Sequence, residues 1–192
     1  MQTVSKYHKS DKQIRSEIDL IKAAQRNPAY FEVLYNKYYE QLLKFIYQRV
    51  NSKDTAFDIT SQVFLKALVN LPRYQPKGVP FSAWLYRIAI NEMNRMFKTN
   101  VAQRALNVEM NMVGDIMEEM KEDNQEEKHN QLIDALTRLE EPDLQMIEMR
   151  FFEKRAFKEI AHILNITENN AKVKVYRILE KLKNIITKNG NN

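Results

Sequence analysis

The sequence predicts an all-α protein of two small helical domains joined by a flexible linker. Only 3 Gly and 5 Pro occur in 192 residues, too few for the many turns of an all-β fold. Apolar residues recur at three- and four-residue spacing in two blocks, residues 17–98 and 131–186, the period of amphipathic helices. Between the blocks, residues 99–130 turn polar and acidic without a broad apolar stripe, as an inter-domain linker does.

Residues 1–16 are polar and aperiodic and read as a flexible arm. A first helix from about residue 16 carries Ile18, Ile21 and Lys22. It ends at Asn27, because Pro28 disfavours helical backbone in the residue before it. Residues 30–50 place Phe31, Leu34, Tyr35, Tyr38, Leu42, Phe45 and Ile46 at helical spacing until Asn51 and Ser52 break the run. A third helix holds Ala56, Ile59, Val63, Phe64, Ala67 and Leu68 and stops before Leu71 and Pro72. The following loop, residues 73–80, contains Pro76, Gly78 and Pro80, and a fourth helix covers residues 82–98. The second block holds short helices, and residues 187–192 form a tail.

Composition excludes several function classes. With Cys 0, disulfides, thiolate zinc sites and cysteine nucleophiles are all absent. No signal-peptide core and no 18-residue apolar run occurs, so neither secretion nor membrane insertion is expected, and a cytoplasmic location is. The glycines, Gly78, Gly114 and Gly190, cannot make a phosphate-binding loop, and there is no His-Glu-x-x-His. No catalytic residue, metal or cofactor is therefore expected, and the chain does not read as an enzyme. The formal net charge is +5, a weak pointer to nucleic acid by itself. Its distribution says more. Acids crowd residues 115–127 around one base, Lys121, whereas Lys172, Lys174, Arg177, Lys181 and Lys183 outnumber Glu168 and Glu180 in residues 168–183.

Residues 157–168 read as a helix-turn-helix. Phe157, Ile160, Ala161 and Leu164 make one apolar face, with small Ala161 where a second helix would cross closely. Asn165 occupies the turn, where a left-handed residue is needed and Asn is tolerated. Thr167 is a good N-cap, since its hydroxyl can accept from a free helix N–H. In the second helix Ala171, Val175, Ile178, Leu179, Leu182, Ile185 and Ile186 recur at core spacing. Asn169, Lys172, Val173, Tyr176 and Arg177 fall opposite. They offer cations for phosphates, an amide for base edges and apolar surface for thymine methyls. An ordinary solvated helix face would also carry lysines, but here turn, cap and two-faced helix coincide. In the fourth helix Arg87, Asn91, Asn94, Arg95 and Lys98 line one face, a mixture that suits nucleic acid or plain solvent.

Two segments resemble a known family. The helix-turn-helix and the helix before it, with Leu139, Pro142, Ile147, Arg150, Phe151, Ile160, Ala161, Leu164, Ile166 and Lys172 in place, resemble region 4 of bacterial sigma factors. The first block is similar to region 2 of the same family. Residues 30–43 resemble its opening helix, residues 58–64 its Asp-x-x-Gln-Glu-x-Phe signature, and residues 81–91 the helix that reads the −10 element. Ser61 and Gln62 stand where the family usually has Gln and Glu, and Val173 and Lys174 where it usually has Ser and Arg. With regions 2 and 4 alone, the chain resembles the short, extracytoplasmic-function (group IV) sigma factors.

The resemblance implies a sigma factor that binds core RNA polymerase, at the clamp of the largest subunit and the flap of the second, and directs initiation at promoter DNA. It implies that Asp58, Ser61, Gln62 and Phe64 meet the polymerase, and that Lys77, Gly78, Arg87, Asn91, Asn94, Arg95 and Lys98 meet the −10 element. Thr167, Asn169, Asn170, Lys172, Val173, Tyr176 and Arg177 would meet the −35 element. In such factors the loop before the fourth helix captures an unstacked base, for which Lys77 and Gly78 suit a close backbone approach. Tyr74, Phe81 and Trp84 could stack on bases, and Trp84 equally suits the core. An anti-sigma factor is an expected partner, and the acidic linker is expected to thread toward the RNA exit path. Two alternatives remain at this stage. One is a helix-turn-helix regulator with an unrelated helical N-terminal domain. The other is a di-metal carboxylate helical-bundle enzyme built on the Glu126/His129 and Glu159/His162 pairs.

Overall fold

The computed structural model describes residues 11–50, 52–96, 110–121 and 126–189, and no strand occurs among them. Expectations for residues 1–10, 97–109, 122–125 and 190–192, Lys98 included, lie outside the described residues. In order, the chain forms α1 (Asp11–Arg26), a 3-10 turn (Pro28–Tyr30), α2 (Phe31–Val50), α3 (Lys53–Asn70), a 3-10 turn (Leu71–Arg73) and α4 (Phe81–Met96). It continues with α5 (Met110–Met120), α6 (Glu126–Thr137), α7 (Glu141–Ile147), a π-helical turn (Glu148–Phe152), α8 (Phe157–Leu164) and α9 (Glu168–Asn189). Two compact units result, one built on residues 9–99 and the other mainly on residues 100–161 and 166–192.

In the first unit, local signals set the helix ends. The Asn27 side chain accepts from Ala29 N at 3.0 Å, and Pro28 needs no N–H partner at that position, so the chain turns sharply out of α1. Ser52 Oγ accepts from Thr55 N at 3.4 Å and starts α3. The predicted stripes of α2 and α3 are the core: Leu34, Tyr38, Leu42 and Ile46 meet Ala56, Ile59, Val63 and Ala67, and α4 adds Phe81, Leu85, Ala89 and Met93. α1 begins at Asp11 rather than near residue 16, so residues 11–15 of the expected arm are helical. Half-buried Ile14 lies four residues before Ile18 and seven before Ile21, which extends the stripe by a turn.

The second unit departs more. Within the expected linker, residues 110–120 form α5, whose Val113, Ile116, Met117 and Met120 are buried. An 11-residue helix is marginal alone, but each apolar side chain buried stabilises by about 1.5–3 kcal/mol. The helix therefore exists because it packs on the second unit, in contact with α6, α9 and the π-helical turn. Residues 187–189 of the expected tail are helical: α9 runs to Asn189, with Thr187 Oγ1 donating back to Lys183 O at 2.9 Å.

A charged cluster is buried between the π-helical turn and α8. Arg155 is 1% exposed. Its Nε donates to Glu153 Oε2 at 2.7 Å and its Nη1 to Glu159 Oε2 at 3.1 Å. Arg150 Nη1 donates to Arg155 O at 3.1 Å, and its guanidinium lies 4.6 Å from the Phe157 ring centre. The chain reverses there through Lys154, at φ 52°. The cluster fixes the angle at which α8 leaves that turn.

Candidate nucleic-acid interface

The helix-turn-helix forms as its residues require. Asn165 takes φ 57°, and Ile166 N donates to Ala161 O at 3.0 Å, closing α8. Thr167 Oγ1 accepts from Asn170 N at 3.2 Å and starts α9. The hydroxyl of Thr167 is thus engaged in the cap, so within the expected −35 set it starts the helix. Along α9, Ala171, Val175, Ile178, Leu179, Leu182 and Ile186 are buried, while Asn169, Asn170, Lys172, Val173, Tyr176 and Arg177 are exposed. Val173 and Tyr176 keep 38% and 43% of their surface in solvent, although both are large and hydrophobic. Exposed apolar surface framed by Lys and Arg is what a major-groove helix offers to bases and phosphates.

Sequence reasoning missed a neighbour of this face. Tyr176 Oη donates to Glu119 Oε1 of α5 at 3.2 Å. That hydrogen bond, and then the Glu119 charge, raise the Tyr176 phenol above its ordinary pKa. Lys183 Nζ donates to Met120 O at 3.4 Å, and Lys154 pairs with Asp115. An open cleft of about 510 Å³ runs between the two helices, lined by Glu119, Asn169, Lys172, Val173, Tyr176 and Arg177 among others. The available signal was the acidic run beside a basic helix, which marks charge complementarity but not which residues meet.

In the first unit, Asn91, Asn94 and Arg95 are exposed on α4 and Arg87 is half-buried. Arg95 Nη2 donates to Glu92 Oε2 at 3.0 Å, and buried Glu92 also pairs with Lys66 of α3. Before α4, Lys77 and Gly78 are exposed in the loop of residues 74–80. Gly78 has φ 67°, where a side chain would clash. Tyr74 and Phe81 are not available to stack on bases, because they are 8% and 0% exposed. Their rings pack on each other at 5.3 Å and on half-buried Trp84 at 4.5 and 5.4 Å. Burial, and then the charge of Glu17, push the Tyr74 phenol up to about 12.

A third face lies on α3. Asp58, Ser61 and Gln62 are exposed there. Phe64 is not part of it: it is 3% exposed and packs against Phe31, Tyr35 and Tyr39 at 4.6–6.3 Å. The signature Phe holds α3 on α2 from inside. In its place the exposed ridge continues through Leu65 and Val69, 55% and 69% exposed, seven and eleven residues after Asp58 and so on its face. Their position outside the buried stripe was the signal that could have found them. Among the described residues no cluster of acids and histidines that could hold a metal forms, and Glu159 is bound by Arg155; the Glu126 side chain lies outside the described residues.

A helical protein whose second unit carries a helix-turn-helix is the class these features define. Residues 34–102 match sigma-70 region 2 and residues 129–182 match sigma-70 region 4. The ECF RNA polymerase sigma factor BldN of Streptomyces coelicolor is 29% identical over 172 residues, covering 88% of this chain; the chain spans 65% of that protein's length. The RNA polymerase sigma factor YlaC of Bacillus subtilis is 24% identical over 163 residues, covering 82% of this chain and 92% of YlaC. Among solved structures, CnrH in complex with the cytosolic domain of CnrY shares the fold, at 17% identity and TM-score 0.59 over 90% of this chain and 97% of that one. The chain belongs to the sigma-70 family.

Proposed function

We propose that the chain is a dissociable initiation subunit that binds core RNA polymerase and directs it to promoters with particular −35 and −10 elements. The observation that carries this reading is the recognition helix α9, which exposes Asn169, Lys172, Val173, Tyr176 and Arg177 on one face. The family supplies the context in which such a face serves initiation. Arg177 and Lys172 would hold phosphates and base edges of the −35 duplex, and Val173 and Tyr176 would pack on bases. In the first unit, Asn91, Asn94 and Arg95 on α4 with Lys77 and Gly78 in the loop would take the −10 element. The ridge of Asp58, Ser61, Gln62, Leu65 and Val69 would dock on the polymerase clamp. An anti-sigma factor and the flap of the second polymerase subunit complete the proposed partners. The chain performs no catalysis in this scheme, and it acts in the cytoplasm, at the nucleoid, where polymerase is. No helix among the described residues is long and apolar enough to cross a membrane.

The test is promoter-specific transcription by core polymerase with and without the protein. Start sites aligned after overexpression define both elements. Arg177→Ala should then lose activity only where the −35 element is intact, and Asn91→Ala only where the −10 element is. Normal transcription by both variants would overturn the site assignment. A protein that footprints promoters alone and never binds polymerase would overturn the sigma reading itself.

A further inference from the structure

The loop of residues 74–80 has no repeating hydrogen bonds of its own, so its placement depends on what holds its two ends. Both are held by α1. At the loop's start, Gln25 Nε2 donates to Leu71 O at 2.9 Å and to Tyr74 O at 2.8 Å. At its end, Phe81 N, the first N–H of α4, donates to Glu17 Oε2 at 2.7 Å. Glu17 is 2% exposed, and its other oxygen accepts from Lys37 Nζ at 2.9 Å and from the Tyr38 hydroxyl, both on α2. An ordinary helix cap comes from the residue just before the helix. This one comes from 64 residues away.

The arrangement is specific for a reason. A buried carboxylate is costly unless charge-paired and hydrogen-bonded. Glu17 meets that condition with a lysine, a phenol and a helix N-terminus, whose dipole favours negative charge. The Gln25 amide turns its N–H groups to two carbonyls at the end of the 3-10 turn: Tyr74 O, and Leu71 O, which also accepts from Tyr74 N at 2.9 Å. Eight residues of helix separate the two side chains, about 12 Å, so α1 acts as a bracket across the loop's feet. It also precedes the residues matched to region 2, which begin at residue 34.

We infer that Glu17 and Gln25 are positioning residues for promoter opening: they fix the loop of residues 74–80 in the place where an unstacked base of the −10 element binds. This rests on the reading that the loop and α4 engage that element. Neither side chain touches DNA. Each acts by keeping the exposed Lys77 and Gly78 fixed relative to Asn91 and Arg95, so that the pocket for a flipped base exists before the base arrives. A flipped base costs a few kcal/mol of stacking and pairing, which a loosely held loop recovers less completely.

The experiment compares two templates with core polymerase: an intact duplex promoter and the same promoter with its −10 segment pre-melted by mismatches. The variants are Glu17→Gln, Gln25→Glu, which turns a donor toward the two carbonyls into an acceptor, and the milder Gln25→Ala. On the duplex template all three should lose about tenfold in transcription, the size expected for losing one well-placed charged or paired hydrogen-bonding group. On the pre-melted template they should stay within about twofold of the parent, because the opening cost is already met. Binding to core polymerase, measured by competition, should be unchanged. Equal loss on both templates, or loss of polymerase binding, would mean a general folding role and overturn the proposal. Full activity of Gln25→Glu and Gln25→Ala on the duplex would overturn it as well. A parent protein that supports initiation on neither template would instead sink the sigma reading, and the proposal with it.

Discussion

Arg155→Met should unfold the second unit at denaturant concentrations the parent survives. The guanidinium is 1% exposed and shared by two carboxylates, Glu153 and Glu159, whose side chains are 11% and 5% exposed. Methionine fills similar volume but leaves those carboxylates without their common cation. Removing one partner of a buried ion pair costs about 3–5 kcal/mol, whereas replacing the whole pair with neutral groups of similar shape is often near neutral. A loss of that size approaches the entire stability of a small domain, about 5 kcal/mol at the low end. Urea denaturation followed by far-UV circular dichroism should show an early loss of helix. Trp84, the chain's one tryptophan, lies in the first unit, and its fluorescence should change later. Adding Glu153→Gln and Glu159→Gln to Arg155→Met should recover most of the stability. A single variant within about 1 kcal/mol of the parent, or a triple variant no better than the single, would refute the argument that desolvated carboxylates set the loss.

The turn of the helix-turn-helix gives a second expectation. Asn165 sits at φ 57°, so Asn165→Ala should cost about 1 kcal/mol and Asn165→Gly close to nothing, read as shifts in thermal midpoint. Tyr74 predicts a pH dependence. Its phenol is pushed up from its ordinary value to about 12, so the unfolded chain ionises first. The associated stability is fully present below pH 10 and is lost as pH climbs toward 12, by roughly 2–3 kcal/mol. Tyr74→Phe should flatten that part of the pH profile of urea midpoints, and an unchanged slope would refute the assignment. Glu119→Gln should bring the Tyr176 phenol back toward its ordinary value, measured by ultraviolet titration against a Tyr176→Phe reference. The same change removes a negative charge from beside the reading face and should tighten binding to −35 duplex at low salt, with a smaller gain at high salt.

Helix existence was legible in the sequence because apolar spacing reports it directly. The α2 and α3 stripes, the Asn27-Pro28 stop, the Ser52 break and the Asn165-x-Thr167 turn all follow from local chemistry that acts within a few residues. What the spacing could not show is which polar residues are buried. Glu17 reads as one more surface acid of α1, yet it is buried because three donors from two other helices converge on it. Arg155 reads as a surface base, yet it is the largest fully buried side chain among the described residues. Phe64 shows the converse error. A signature residue was assigned to a partner, when an aromatic at core spacing beside Val63 packs inward. The helix α5 was passed over because two of its four buried residues are methionines set among acids. Its stripe is only two turns long, and the surface it packs against makes it a core element.

The two proposed DNA faces are each built for weak binding, and this bears on how such a protein works. On α9 the exposed cations of the reading face are Lys172 and Arg177, and its aromatic residue, Tyr176, already has its hydroxyl bonded to Glu119. On α4 one of the cations, Arg95, is paired with Glu92. Affinity for duplex DNA at physiological salt scales steeply with the number of phosphates neutralised, the logarithm changing by about 0.9 per contact per decade of salt. A face offering two or three such contacts is therefore largely unbound by itself. Holding both faces on one large partner makes the second contact intramolecular, and the effective concentration, not any new contact, supplies the missing affinity. Specificity then comes from needing both elements at once. On this reasoning, more cations on α9 would raise binding to any DNA and lower the dependence on polymerase, the opposite of what a dissociable promoter-selecting subunit requires.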